Sequence, residues 1–118
     1  MPLTFNSKTY TADSYATNSV GYIGAAKTLT VRDDVTMRRT APKATSTFSG
    51  LGRTWAKLIR TFTLNGALTP TSDASIEINA VIPVGYSPAD VDALLNDAGA
   101  LLSSATFKTH VKSQQITF

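Results

Sequence analysis

The chain has 118 residues, no cysteine and a single histidine, with 11 Lys and Arg against 8 Asp and Glu. That length suits one domain (residues 1–118) whose modest core buries roughly two-thirds of the unfolded surface, so partner subunits have room to complete it. The composition excludes disulfides, thiolate chemistry and cysteine-based zinc sites, and one histidine removes most nucleophile–base pairs.

The chain opens Met1-Pro2-Leu3-Thr4-Phe5-Asn6, which lacks the basic start and apolar run of a signal peptide. No window approaches the roughly 18 apolar residues of a membrane span, so a soluble, cytosolic protein is expected. Residues 1–65 are rich in Thr, Ser, Val, Tyr and Phe, side chains that fit a pleated, half-buried surface. Short strands are predicted over 4–10, 19–23 and 27–32, with a loop over 11–18 and a longer pairing region over 35–49. Ser49-Gly50-Leu51-Gly52 reads as a turn, residues 53–64 as a long strand, and Asn65-Gly66 as a second turn signal.

Residues 74–84 give the clearest strand. Ile76, Ile78, Ala80 and Ile82 alternate with Ser75, Glu77, Asn79 and Val81, the pattern of a sheet covered on one side only. In the preceding strand Ala56, Leu58, Phe62 and Leu64 share a face interrupted by Arg60, while Lys57, Ile59, Thr61 and Thr63 share the other. At Ser87 the period changes. Ser87-Pro88-Ala89-Asp90 predicts a helix start with Ser as N-cap and Asp reaching back as a capping-box carboxylate. Val91, Leu94, Leu95, Ala98, Leu101 and Leu102 then form an apolar stripe. Ser103-Ser104 predicts a break, a shorter helix should cover 105–112, and the tail over 114–118 is apolar enough to pack. The outcome is an α+β chain: a β-rich region over about 1–86, then a helical region over about 87–113, with helices covering one sheet face.

Charge is uneven. From Lys27 to Arg60 lie eight basic residues against Asp33 and Asp34, a stretch of +6, while the rest of the chain is −3. Such asymmetry favours an anionic partner.

The runs Arg39-Thr40-Ala41-Pro42-Lys43 and Ser46-Thr47-Phe48-Ser49-Gly50-Leu51-Gly52-Arg53 resemble coat proteins of levi-like single-stranded RNA bacteriophages. So does Glu77-Ile78-Asn79-Ala80-Val81-Ile82-Pro83-Val84, followed by the helix Asp90-Val91-Asp92-Ala93-Leu94-Leu95-Asn96-Asp97. The resemblance extends, in order of elements, over essentially the whole chain. It implies an N-terminal hairpin plus a five-stranded antiparallel sheet, then two C-terminal helices that reach across to a partner. Two subunits would form an intertwined homodimer with a ten-stranded sheet, and dimers would close into an icosahedral shell around genomic single-stranded RNA. In many members the inner sheet face also binds an RNA hairpin and represses translation. The resemblance places the protein in the virion, and in the host bacterial cytoplasm during assembly, with no membrane, cofactor or small-molecule substrate.

Anchored on Ile82-Pro83-Val84, the family's RNA-contacting strand face corresponds to Ser75, Glu77, Asn79 and Val81. No aromatic stands at Ser75, where a base-stacking tyrosine is expected, which favours charge-led packaging over specific hairpin reading. The candidate RNA-binding residues are Arg38, Lys43, Thr45, Thr47, Lys57, Thr61 and Asn79, with Thr45 and Thr47 placed on the strand before Lys57. Cations would hold phosphates; hydroxyls and the amide would carry base preference. Glu77 would pair with Lys57 or accept from a base amine. Arg60, on the helix-facing side, is expected to pair with an acidic helix residue. Trp55 could stack on a base or serve as a core or interface anchor. His110 reads as an exposed helix residue.

Asp33-Asp34 and Asp90/Asp92 read as turn and helix-start carboxylates, and no phosphate-cradling glycine loop precedes a helix, so no enzyme is expected. The competing reading is a small dimeric cellular nucleic-acid-binding domain that forms no shell.

Overall fold

A computed structural model of the chain describes residues 2–47, 50–66 and 68–116. Residues 1, 48, 49, 67, 117 and 118 lie outside it. They include Ser49 of the predicted turn and the end of the predicted packed tail. Two compact units divide at Val84: Met1–Val84 and Gly85–Phe118.

The first unit holds β1 (Leu3–Phe5), β2 (Lys8–Ala16), β3 (Ser19–Ile23), β4 (Asp33–Thr40), β5 (Leu51–Thr63) and β6 (Thr71–Pro83). They form one antiparallel sheet in sequence order. The expected hairpin and five-stranded sheet share β2: β1–β2 is the hairpin and β2–β6 the five strands.

Four local differences from the sequence reading have physical causes. The predicted strand over 4–10 breaks at Asn6 and Ser7, whose φ angles of 51° and 59° let the chain fold back as a two-residue hairpin. Much of the predicted loop over 11–18 is instead strand β2, with an irregularity between Ala12 and Ser14 that absorbs Asp13 as a bulge. The predicted strand over 27–32 is a loop. There the Thr28 hydroxyl accepts from the Val31 N–H at 3.0 Å and the Thr28 N–H bonds the Val31 carbonyl, so local bonds replace a ladder. Finally, β4 stops at Thr40, because Pro42 has no N–H to extend the pairing, and residues 41–47 follow no regular element.

The core is small. Among the described residues only Tyr10, Val35 and Ile59 are buried apolar side chains. Tyr10, 1% exposed, lies under Phe5 with ring centroids 5.0 Å apart. Its hydroxyl donates to Asp33 (3.1 Å) and accepts from Arg60 (2.8 Å). Arg60 also pairs directly with Asp33 at 3.5 Å. Arg60's acidic partner is therefore on the neighbouring strand rather than a helix, because the register sets Asp33 opposite it. The Tyr10 hydrogen bond, ahead of the Asp33 charge, raises the pKa of this guanidinium further, so it stays ionised.

The second unit is α1 (Pro88–Ser103) and α2 (Ala105–Ser113). Ser87 caps α1 in an extended conformation with Pro following, but its side chain makes no capping bond. Backbone alone closes that first turn: the Asp90 and Val91 N–H groups bond the Ser87 carbonyl. Ser104 carries the cap the sequence assigned to Ser87. Its hydroxyl accepts from the Phe107 N–H (3.1 Å) and donates to the Leu101 carbonyl (2.7 Å), tying the end of α1 to the start of α2. His110 and Lys112 occupy the last turn of α2, where the helix dipole favours cations. Among the described residues no helix is long and apolar enough to cross a membrane.

Candidate nucleic-acid interface

Strand register assigns the sheet faces. Opposed residues point the same way, so one face carries Thr36, Lys57 and Glu77 as a cross-strand row, with Arg38, Trp55 and Asn79 as the next. Thr40, Arg53 and Val81 form the row beyond. The other face carries Val35, Leu58 and Ile76, then Met37, Ala56 and Ile78. The alternation read from residues 53–64 and 74–84 is therefore the alternation of the sheet.

The candidate residues divide sharply on this frame. Arg38 and Asn79 flank Trp55 in one row. Lys57 shares their face one row away, but its ammonium is engaged by Glu77 at 3.3 Å. Thr61 is also committed: its hydroxyl accepts from the Arg32 N–H (2.8 Å) and donates to Asp73 (2.7 Å). Lys43, Thr45 and Thr47 do not lie on a strand, since β4 ends at Thr40, and the strand position given to Thr45 and Thr47 is corrected accordingly. The Lys43 backbone instead packs against Gly50, where a Cβ would meet its nitrogen at 2.8 Å.

Ion pairing redistributes the basic stretch. Lys27 and Arg32 pair with Asp34, Arg32 also with Asp73, Lys57 with Glu77, and Arg60 with Asp33. Four cations are thus offset by four carboxylates. Among the described residues Arg38, Arg39, Lys43 and Arg53 have no carboxylate partner. These four gather where β4 ends and β5 begins, as the pairings Arg39–Thr54 and Thr40–Arg53 require. One end of the sheet is neutral, and the other keeps its positive charge.

At the charged end Arg38 stacks over the Trp55 ring, its guanidinium carbon 4.6 Å from the centroid. A concavity of about 360 Å3 opens beside this pair, lined by residues 38–40 of β4, 53–55 of β5 and 79–81 of β6. Arg53 lines this concavity and was not among the candidates, and Trp55, for which base stacking was one of two readings, lines it too. Strand parity could have found them, because both share Lys57's face. Among the described residues no group of three or more His, Asp or Glu side chains could hold a metal ion.

No protein-family model matches the chain, and no curated protein is a significant match to its sequence. Its structure has many counterparts. It superposes on the virus-like particle of Beihai levi-like virus 32 with a TM-score of 0.82 at 14% identity, covering 96% of this chain and 91% of that one. The chain has the fold of levi-like phage coat proteins. The virus-like particle of bacteriophage GQ-907 gives a TM-score of 0.77 at 16% identity, over 98% of this chain and 88% of that one. The coat protein of bacteriophage EMS014 gives 0.59 at 17% identity, over 83% and 68%. With so little sequence in common, the shared property is the coat-protein fold itself: a meandering antiparallel sheet followed by two helices.

Proposed function

We propose that this chain is a structural phage coat subunit: two copies pair, the pairs close into an icosahedral shell, and the Arg38–Trp55–Asn79 face lines the interior against single-stranded RNA. The observation that carries this reading is the likeness to virus-like-particle subunits over nearly the whole of both chains.

Exposed apolar surface supports the pairing. On the sheet, Phe62, Ile76 and Ile78 are 51%, 54% and 40% exposed, and in α1 Leu94, Leu95 and Leu101 all exceed half. Each is already about half covered, so full burial adds roughly half of the 1.5–3 kcal/mol of a wholly exposed side chain, and a second copy would cover both sets. The 13-residue strand β6 is also an open sheet edge. An unpaired edge of that length invites another strand, and the symmetric solution is β6 against β6, giving ten strands when β2–β6 of each copy are counted. Arg38 and Arg53, which lie on that face, would then meet the packaged phosphates. Repression through an RNA hairpin belongs to the same surface. Such a protein resides in the virion, and in the bacterial host's cytoplasm while shells assemble.

Electron microscopy of the expressed protein is the test, with nuclease digestion of what the particles hold. Regular closed particles that protect RNA support the proposal. A dimer that persists by light scattering at every salt concentration, with nucleic acid bound, would refute the shell and leave a small nucleic-acid-binding domain.

A further inference from the structure

Asn65 and Gly66 are both exposed in the turn that joins β5 to β6. A backbone bond from the Leu64 N–H to the Pro70 carbonyl (2.8 Å) closes that turn, and among the described residues nothing bonds the Asn65 amide or the Gly66 N–H. We propose that Asn65 is a site of spontaneous deamidation, where the chain converts its own amide to an aspartyl or isoaspartyl carboxylate. The reaction needs only water, so the inference stands or falls separately from the coat reading.

The Gly66 nitrogen, as it loses its proton, attacks Cγ of Asn65. The N–Cγ bond forms, the Cγ–Nδ2 bond breaks, and ammonia leaves with the proton that Gly66 gave up. Water then opens the five-membered imide. Attack at Cγ restores the ordinary backbone with an aspartate; attack at the main-chain carbonyl leaves isoaspartate, with one extra methylene in the backbone. The structure selects Asn65 among the five asparagines. Gly66 has no Cβ to shield its nitrogen, and a Cβ built there would meet nothing within 4 Å, so water has access. Ring closure needs a backbone rotation outside helical and strand angles, and Asn79 in β6 and Asn96 in α1 are held at those angles. Asn18 is fixed by Arg39, whose Nε–H donates to its Oδ1 (3.3 Å) and whose backbone N–H donates to its carbonyl (2.9 Å). Asn6 and Asn18 both precede a serine, whose side chain crowds the attacking nitrogen. Conversion at Asn65 takes the formal net charge from +3 to +2. The new carboxylate arises at the end of the sheet where Lys27, Arg32, Asp34 and Asp73 already neutralise one another, and that end turns negative.

The full chain is aged in mildly alkaline buffer at physiological temperature, folded and, in parallel, unfolded in guanidinium chloride. Fragment-ion mass spectrometry then follows each asparagine separately, because residues 61–108 form one tryptic peptide that holds Asn65, Asn79 and Asn96. In the folded protein Asn65 should gain one mass unit at close to its unfolded rate, appear as both aspartate and isoaspartate, and shift the isoelectric point downward. Asn18, Asn79 and Asn96 should lag their unfolded rates by roughly tenfold or more, as a backbone that resists ring closure requires. Hydroxylamine, which attacks the imide, should cleave the aged chain between residues 65 and 66. Gly66→Ala should slow Asn65 roughly tenfold in both the folded and the unfolded chain, so strain at the Gly66 φ of +75° cannot be the cause. A folded Asn65 slower than the unfolded one by more than roughly tenfold would show that the turn protects it and would overturn the site. Equal conversion of Asn18 and Asn65 in the folded protein, or a Gly66→Ala chain that reacts at the wild-type rate, would do the same.

Discussion

RNA binding by this protein should follow the four cations between Lys27 and Arg60 that have no carboxylate partner among the described residues, not all eight that this stretch carries. For a single strand, each neutralised phosphate lowers the log of the binding constant by about 0.7 per decade of salt. Arg38, Arg39, Lys43 and Arg53 therefore predict a slope near −3 per protomer, whereas all eight basic residues would give a slope near −6. Two variants separate the cases. Arg53→Gln removes one free cation and should flatten the slope by about 0.7. The double variant Lys57→Gln/Glu77→Gln removes both members of an ion pair, leaves net charge unchanged, and should leave the slope where it was. Fluorescence anisotropy with a short labelled oligoribonucleotide, from roughly 50 to 200 mM salt, covers the range in which such slopes are read. The Lys57–Glu77 pair is partly exposed and worth only about 0–1 kcal/mol, so phosphate could in principle outbid Glu77. A wild-type slope near −6, or a drop of about 0.7 in the double variant, would show that it does and would refute the reasoning.

Three further outcomes are expected. Tyr10→Phe removes a hydroxyl shared by Asp33 and Arg60 but leaves their direct pair. It should cost about 2 kcal/mol and lower the urea midpoint by roughly 1 M at fixed protein concentration, and an unchanged midpoint would deny the network a role. Gly50→Ala should destabilise by more than about 1 kcal/mol, because φ is +100° and a Cβ would press on the Lys43 backbone. A neutral result would mean that residues 41–47 are not held there. Leu94→Glu with Leu101→Glu alters two exposed side chains of α1. The far-UV helical signal should survive while light scattering reports monomer, and a dimer that persists would remove α1 from the pairing surface.

Much of the fold was legible because alternation and capping are local signals. The faces of β5 and β6, the break at Ser103-Ser104 and the start of α1 all follow from neighbours a few residues apart. The failures lie where short side chains bond their own backbone or where two residues adopt left-handed angles. Thr28 pulls the predicted strand over 27–32 into a loop. Asn6 and Ser7 split another into a hairpin, and asparagine's tolerance of left-handed angles was the one local signal for it. Likewise, two serines stood ready to cap helices. Ser104 uses its hydroxyl and Ser87 does not, a choice set by backbone angles rather than residue type.

The site was harder to read because its charge is sorted by register rather than by sequence position. Strand faces already suggested Glu77 as a partner for Lys57 and some acidic partner for Arg60, but which cations stay free was not readable along the chain. Register sets Glu77 opposite Lys57 and Asp33 opposite Arg60, and places no acidic residue opposite Arg38 or Arg53. Neutralisation is thus a property of strand pairing, and one register fixes both which cations are free and that they share an end of the sheet with Trp55. Parity along β5 alone already placed Arg53 and Trp55 beside Lys57. Parity offered the Lys57–Glu77 pair as one of two fates; the pairing itself, with Thr61 held by Asp73, leaves Arg38 and Asn79 as the strand candidates beside Trp55.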